Sequence, residues 1–110
     1  MMIDDIEGDE EFQTEVVNRD GFVLVDFYAD WCRPCKMMDS VIEEADEALG
    51  DRIHFCRANV ETLKKTVDEL DLMSIPTFLI YKDGAEINRI TGYFPTERFL
   101  KRLKTCIKMH

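Results

Sequence analysis

The chain has 110 residues, enough for one domain of ordinary size. Hydrophobic residues make up 45% and charged residues 34%, a balance that excludes a disordered chain, and no apolar run reaches the roughly 18 residues of a membrane-spanning helix. The net charge of −9 excludes a nucleic-acid binder, which needs Lys and Arg to neutralise phosphates.

The charge is unevenly spread. Asp4, Asp5, Glu7, Asp9, Glu10, Glu11 and Glu15 precede any basic residue, while Arg98, Lys101, Arg102, Lys104 and Lys108 follow the last acid, Glu97. This reads as two solvated faces, with electrostatic steering of a partner as the alternative. The start, Met1-Met2-Ile3-Asp4-Asp5, has neither a basic segment nor an apolar stretch, so no signal peptide is expected. The expected compartment is a reducing cytoplasm, where cysteines serve reactivity or packing rather than as staples.

In chain order, residues 2–6 predict a short edge strand. Phe12, Val16 and Val17 recur at helical spacing and predict a helix over about 10–19, ended near Asp20-Gly21. Residues 22–29 are apolar on both faces except at Asp26, which reads as a central strand covered on both sides. A lone carboxylate there is costly when charged, so its pKa is expected to rise. Met38, Val41, Ile42, Ala45 and Leu49 form one helical stripe, predicting a helix over 34–49 that ends at Gly50. Residues 53–58 predict a second strand. Leu63, Val67 and Leu70 mark a helix over 61–70. A strand over 77–81, an Asp83-Gly84 turn and a returning strand over 85–91 predict a hairpin. Phe99, Leu100, Leu103 and Ile107 form the stripe of a closing helix over 96–107. Early strands separated by helices pair in parallel and the hairpin adds an antiparallel end. The expected fold class is α/β: a single domain, 1–110, with a mixed, mostly parallel sheet and helices on both faces.

The chemistry sits at Ala29-Asp30-Trp31-Cys32-Arg33-Pro34-Cys35-Lys36, where a strand hands over to a helix. The first N–H groups of a helix lack intrahelical partners and carry partial positive charge, which favours a thiolate over a thiol. Pro34 suits a first helical turn. Two intervening residues let the cysteines close a small disulfide, so the pair reads as a reversible dithiol. Cys32, nearest the strand end, is the candidate nucleophile and the thiol expected to be more exposed. Cys35 is the candidate resolving thiol. A Cys-x-x-Cys pair also opens zinc sites, but zinc takes four ligands and no second pair follows, so no metal is expected. Cys56 lies within a strand and Cys106 beside an apolar stripe, both suited to packing. His54 and His110 have no acid or nucleophile pattern around them.

Trp31-Cys32-Arg33-Pro34-Cys35-Lys36 resembles the thioredoxin signature Trp-Cys-Gly-Pro-Cys-Lys, with Arg33 in place of Gly, and the resemblance covers essentially the whole chain. It implies the thioredoxin fold and a protein disulfide reductase with no bound cofactor. It implies that Asp26 acts as the buried acid that deprotonates Cys35, with Arg57 where the family carries a lysine. Ser74-Ile75-Pro76-Thr77 resembles the family's cis-proline loop, which faces the cysteines. Trp31, Arg33, Pro34, Ile75, Pro76, Gly92 and Tyr93 are the implied substrate-binding residues. The implied partners are disulfide-containing proteins and a thioredoxin reductase, with a monomer as the expected state. The family usually has a kinking proline where this chain has Ser40, so a straighter helix is expected. A thiol oxidant or isomerase on the same fold would need an oxidising compartment. A non-catalytic scaffold sits poorly with an intact cysteine pair, Asp26 and Pro76.

Overall fold

The computed structural model describes residues 3–110. The elements run β1 (Ile3–Ile6), α1 (Asp9–Phe12, prolonged by a π-helical stretch, Gln13–Val17), β2 (Phe22–Tyr28), α2 (Arg33–Met37), α3 (Asp39–Leu49), β3 (Ile53–Asn59), α4 (Lys64–Glu69), β4 (Thr77–Lys82), β5 (Ala85–Thr91) and α5 (Thr96–Met109). The expected first strand matches β1 over 3–6, and residue 2 lies outside the described residues. Among the described residues, no helix is long and apolar enough to cross a membrane.

The strands form one sheet in the order β1-β3-β2-β4-β5. β1 and β2 both run parallel to β3, and the β4–β5 hairpin joins β2 antiparallel. This is the thioredoxin fold. β2 is central, which explains its unbroken buried run from Val23 to Phe27. Alternation along each strand then sorts the core into two layers. Leu24, Phe55, Phe78 and Ile80 face Val41, Ile42 and Ala45 of α3 and Phe99 and Leu103 of α5. Val23, Val25, Phe27 and Leu79 face Phe12, Val16 and Leu63 on the other side. Phe78 and Phe99 meet edge to face with ring centroids 5.0 Å apart. By the same alternation, Asp26 shares the α3 face with Leu24. The register sets it between Arg57 of β3 and Phe78 of β4.

Two helices depart from expectation. The helix expected over 34–49 is not one piece: it breaks at Met38 between α2 and α3. Ser40 therefore does not carry a continuous helix. At the break Met38 is fully buried, its N–H reaches the carbonyls of both Pro34 and Cys35, and its sulfur accepts the Phe94 N–H at 3.3 Å. Tertiary packing fixes this residue where local sequence offers no breaker. The helix expected over 61–70 is shorter, Lys64–Glu69, because Leu63 turns inward as a fully buried cap residue.

The hairpin turn is as expected. Asp83 and Gly84 have φ of 49° and 83°, the left-handed pair that a two-residue turn between twisted strands requires. Gly21 locks this turn to the start of β2: its N–H donates to the Asp83 carboxylate at 2.7 Å and its carbonyl accepts the Asp83 N–H at 3.0 Å. Gly21 and Gly84 both have positive φ, but a Cβ at Gly84 would run into the Val17 carbonyl, whereas one at Gly21 meets nothing within 4 Å. Each Gly→Ala change carries left-handed strain of about 1–2 kcal/mol. Gly84→Ala is expected to lose clearly more than Gly21→Ala in urea unfolding at an unchanged slope. Equal losses would show that the Val17 contact is relieved at no cost.

Candidate active site

β2 ends at Tyr28, and Ala29, Asp30 and Trp31 turn the chain into α2. The turn closes with the Cys32 N–H donating to the Ala29 carbonyl at 3.1 Å. Cys32 is the N-cap of α2, in extended conformation (φ −86°, ψ 108°). Its sulfur accepts the Cys35 N–H at 3.3 Å, so one of the helix's unpaired donors is aimed at sulfur. Cys32 and Cys35 form a disulfide, with Cα atoms 5.3 Å apart. In the dithiol state the same N–H favours a thiolate at Cys32, because hydrogen bonds to charged acceptors are the stronger ones.

The expected contrast in exposure is small: Cys32 is 5% exposed and Cys35 2%. Their surroundings separate them better. Cys35, with Tyr28, Lys36, Asp39 and Arg57, lines a polar cleft of about 230 Å³. Trp31, 70% exposed, flanks Cys32 in sequence on the outer surface.

Asp26 is 1% exposed and neither carboxylate oxygen accepts a hydrogen bond. Burial pushes its carboxyl up to about 7, against the pull of the Arg57 guanidinium and with the help of the Asp39 charge. Arg57 Nε stands 3.6 Å from Asp26 Oδ2, an ion-pair distance too long for a hydrogen bond. The guanidinium is better engaged elsewhere. Its Nη2 donates to Asp39 Oδ1 at 3.0 Å, and its central carbon lies over the Tyr28 ring, 4.3 Å from the centroid. The structure thus brings Arg57 to Asp26 and adds Asp39. Asp39 was not among the residues the sequence singled out; its ion pair is with Arg57.

The Ile75–Pro76 bond is cis. Ile75 packs on the cluster of Ala29, Cys32 and Cys35, so this loop does face the cysteines. Pro76 is buried, and its carbonyl accepts the Gly92 N–H at 3.0 Å. Gly92, at φ 94°, is half-buried and leads to Tyr93, which is exposed, as are Arg33 and Pro34. Met37 and Met73 are also exposed large apolar side chains; neither broke a periodic pattern, and nothing in the sequence marked them. Val60, which packs on the disulfide cluster, was likewise missed.

Cys56 and Cys106 are buried free thiols. Burial pushes the Cys56 thiol up to about 12, which leaves it without thiolate character. His54, which has no acid pattern around it in the sequence, has its Nε2 3.0 Å from Asp4 Oδ2, brought there by the pairing of β1 with β3.

A model of the thioredoxin family matches residues 5–105. A thioredoxin of Alicyclobacillus acidocaldarius is 39% identical over 100 residues, covering 91% of this chain and 94% of its own. One of Bacillus subtilis is 39% identical over 89 residues, covering 81% and 84%. A chloroplastic thioredoxin Y1 of Arabidopsis thaliana is 31% identical over 100 residues, covering 91% of this chain and 58% of its own. The chain belongs to the thioredoxin family and is a dithiol–disulfide oxidoreductase of proteins.

Proposed function

We propose that the chain works as a reductase: a cytoplasmic, monomeric, single-domain carrier of electrons to disulfides in other proteins. The observation that carries this is the Cys32–Cys35 disulfide itself, with an N–H aimed at the Cys32 sulfur and Cys35 on the cleft that Arg57 lines. In the reduced protein the Cys32 thiolate attacks one sulfur of a substrate disulfide. That bond breaks, a mixed disulfide forms, and the other substrate sulfur leaves as a thiolate that takes a proton from water. Asp26 accepts the Cys35 proton. The Cys35 thiolate then attacks the Cys32 sulfur, and the second substrate sulfur leaves. Two electrons have moved to the substrate and Cys32–Cys35 is oxidised. Trp31, Arg33, Pro34, Ile75, Pro76, Gly92 and Tyr93 hold the substrate, with Ile75 beside the disulfide and Trp31 and Tyr93 as apolar contacts. A flavin-dependent thioredoxin reductase returns the pair to the dithiol. The redox centre is the cysteine pair, and the reaction calls for no bound cofactor.

Cys35→Ser is expected to accumulate mixed disulfides with substrates, and Cys32→Ser to abolish insulin reduction. If instead Cys35→Ser turns over and Cys32→Ser traps partners, the order of attack is the reverse.

Asp26→Asn is expected to slow resolution of the mixed disulfide and to stabilise the fold. A carboxyl raised from 3.8 to about 7 binds more protons folded than unfolded, so its contribution to stability falls as pH rises between those values. Above pH 7 the cost is on the order of 4 kcal/mol. The mutant should therefore gain most in urea midpoint above about pH 7 and nothing below about pH 4. Full turnover of Asp26→Asn across neutral pH would remove it from the mechanism.

Arg33 is exposed, and its guanidinium attracts the Cys32 thiolate, a charge that only the reduced form carries. With the guanidinium in solvent, an attraction of this kind raises the reduction potential by about 10–20 mV. Arg33→Gly should lower the potential against a glutathione buffer, with the difference shrinking in salt. An unchanged or higher potential at low salt would make Arg33 a neutral or substrate-facing surface residue.

A further inference from the structure

Arg57 is the cation nearest the buried acid of this site, yet its better contact is with another carboxylate. The register of β3 against β2 seats Arg57 beside Asp26. From there its Nη2 reaches Asp39 Oδ1 at 3.0 Å, while Nε stays 3.6 Å from Asp26 Oδ2. Asp39 is the first residue of α3, placed by the helix break at Met38, and it lines the same cleft as Cys35. We propose that Asp39 is a positioning residue for the dithiol centre: by tying the Arg57 guanidinium to its own carboxylate, it withholds from Asp26 the cation that would otherwise hold it ionised.

The groups facing Asp26 support this assignment. β4 contributes only Phe78 at its register position. β3 contributes Arg57, with the Tyr28 ring of β2 against the guanidinium. β1 brings Asp5 opposite Arg57, and Glu43 of α3 lines the adjoining cleft with Asp39 and Arg57. α2 offers Cys35 and Lys36 across the cleft, with Asp30 at its edge. One cation is therefore shared by a buried acid and a partly exposed one. The buried acid has no hydrogen bond of its own, and its protonated form is favoured by the Asp39 charge as well as by burial. A direct, hydrogen-bonded Arg57–Asp26 pair would reverse that balance. Asp39 thereby keeps Asp26 able to exchange a proton near neutrality, where a base for a thiol has to work.

The consequence for rate rests on the reading of Asp26 as the base for Cys35; the consequence for Asp26 itself does not. The test follows Asp26 by carboxyl-carbon NMR in the oxidised wild type and in Asp39→Glu, Asp39→Asn and Asp39→Ala. The Ala variant, which loses both charge and tether, is expected to lower the Asp26 midpoint by about one pH unit. That raises the ionised fraction at pH 6 from about one tenth to about one half. Asn, which can still accept from Arg57, should give a smaller fall, and Glu, which keeps the charge, little or none. A change in packing alone would not produce this graded order. In parallel, stopped-flow resolution of a Cys32 mixed disulfide should show its acid limb moving to lower pH with the Asp26 midpoint. An Asp26 midpoint in Asp39→Ala equal to that of the wild type overturns the inference. A lowered midpoint with an unmoved rate profile upholds the role of Asp39 and overturns that of Asp26 as the base.

Discussion

The enclosure of β2 is the constraint on which this molecule depends. It pairs with β3 on one side and β4 on the other, and helices cover both faces. A slip of one residue would turn Val23, Val25 and Phe27 to the face now held by Leu24, so the register is held by the whole core. Asp26 is fixed by neighbours that have nothing to do with its charge. Its carboxyl stays buried because moving it would mean moving the strand. The fold thus holds an acid with a displaced proton affinity at the expense of stability.

The surrounding charges modulate that acid without neutralising it. Arg57 approaches along the sheet, lies over the Tyr28 ring and bonds to Asp39, leaving a longer contact to Asp26. One guanidinium is thus shared by two acids. Cys35 lines the same cleft with Lys36, and Arg33 lies between the two cysteines in sequence.

The redox pair is positioned by local geometry and isolated by the fold. The turn after β2 aims the Cys35 N–H at the Cys32 sulfur, and the cis-proline loop closes over the pair through Ile75. The other two thiols are buried, Cys56 against the α1 side of the sheet and Cys106 in the α3–α5 layer. Burial keeps both away from a substrate disulfide, and at Cys56 it also leaves little thiolate.

Strands, helix faces, hairpin and parallel-then-antiparallel order were legible in the sequence, because burial writes period-two and helical patterns directly into residue choice. Cys32, Cys35 and Asp26 were legible too: the pair by its spacing at a strand-to-helix junction, the acid as a charge in an otherwise apolar run. The Asp39–Arg57–Asp26 arrangement was not. Its members lie on three elements, and only the register of β3 against β2 and the placing of α3 bring them within reach. The helix break at Met38 and the contact of His54 with Asp4 were hidden for the same reason. Local sequence encodes what a residue prefers and which face it buries; distances between side chains on different elements, and the proton affinities they set, come into being only when the elements pack.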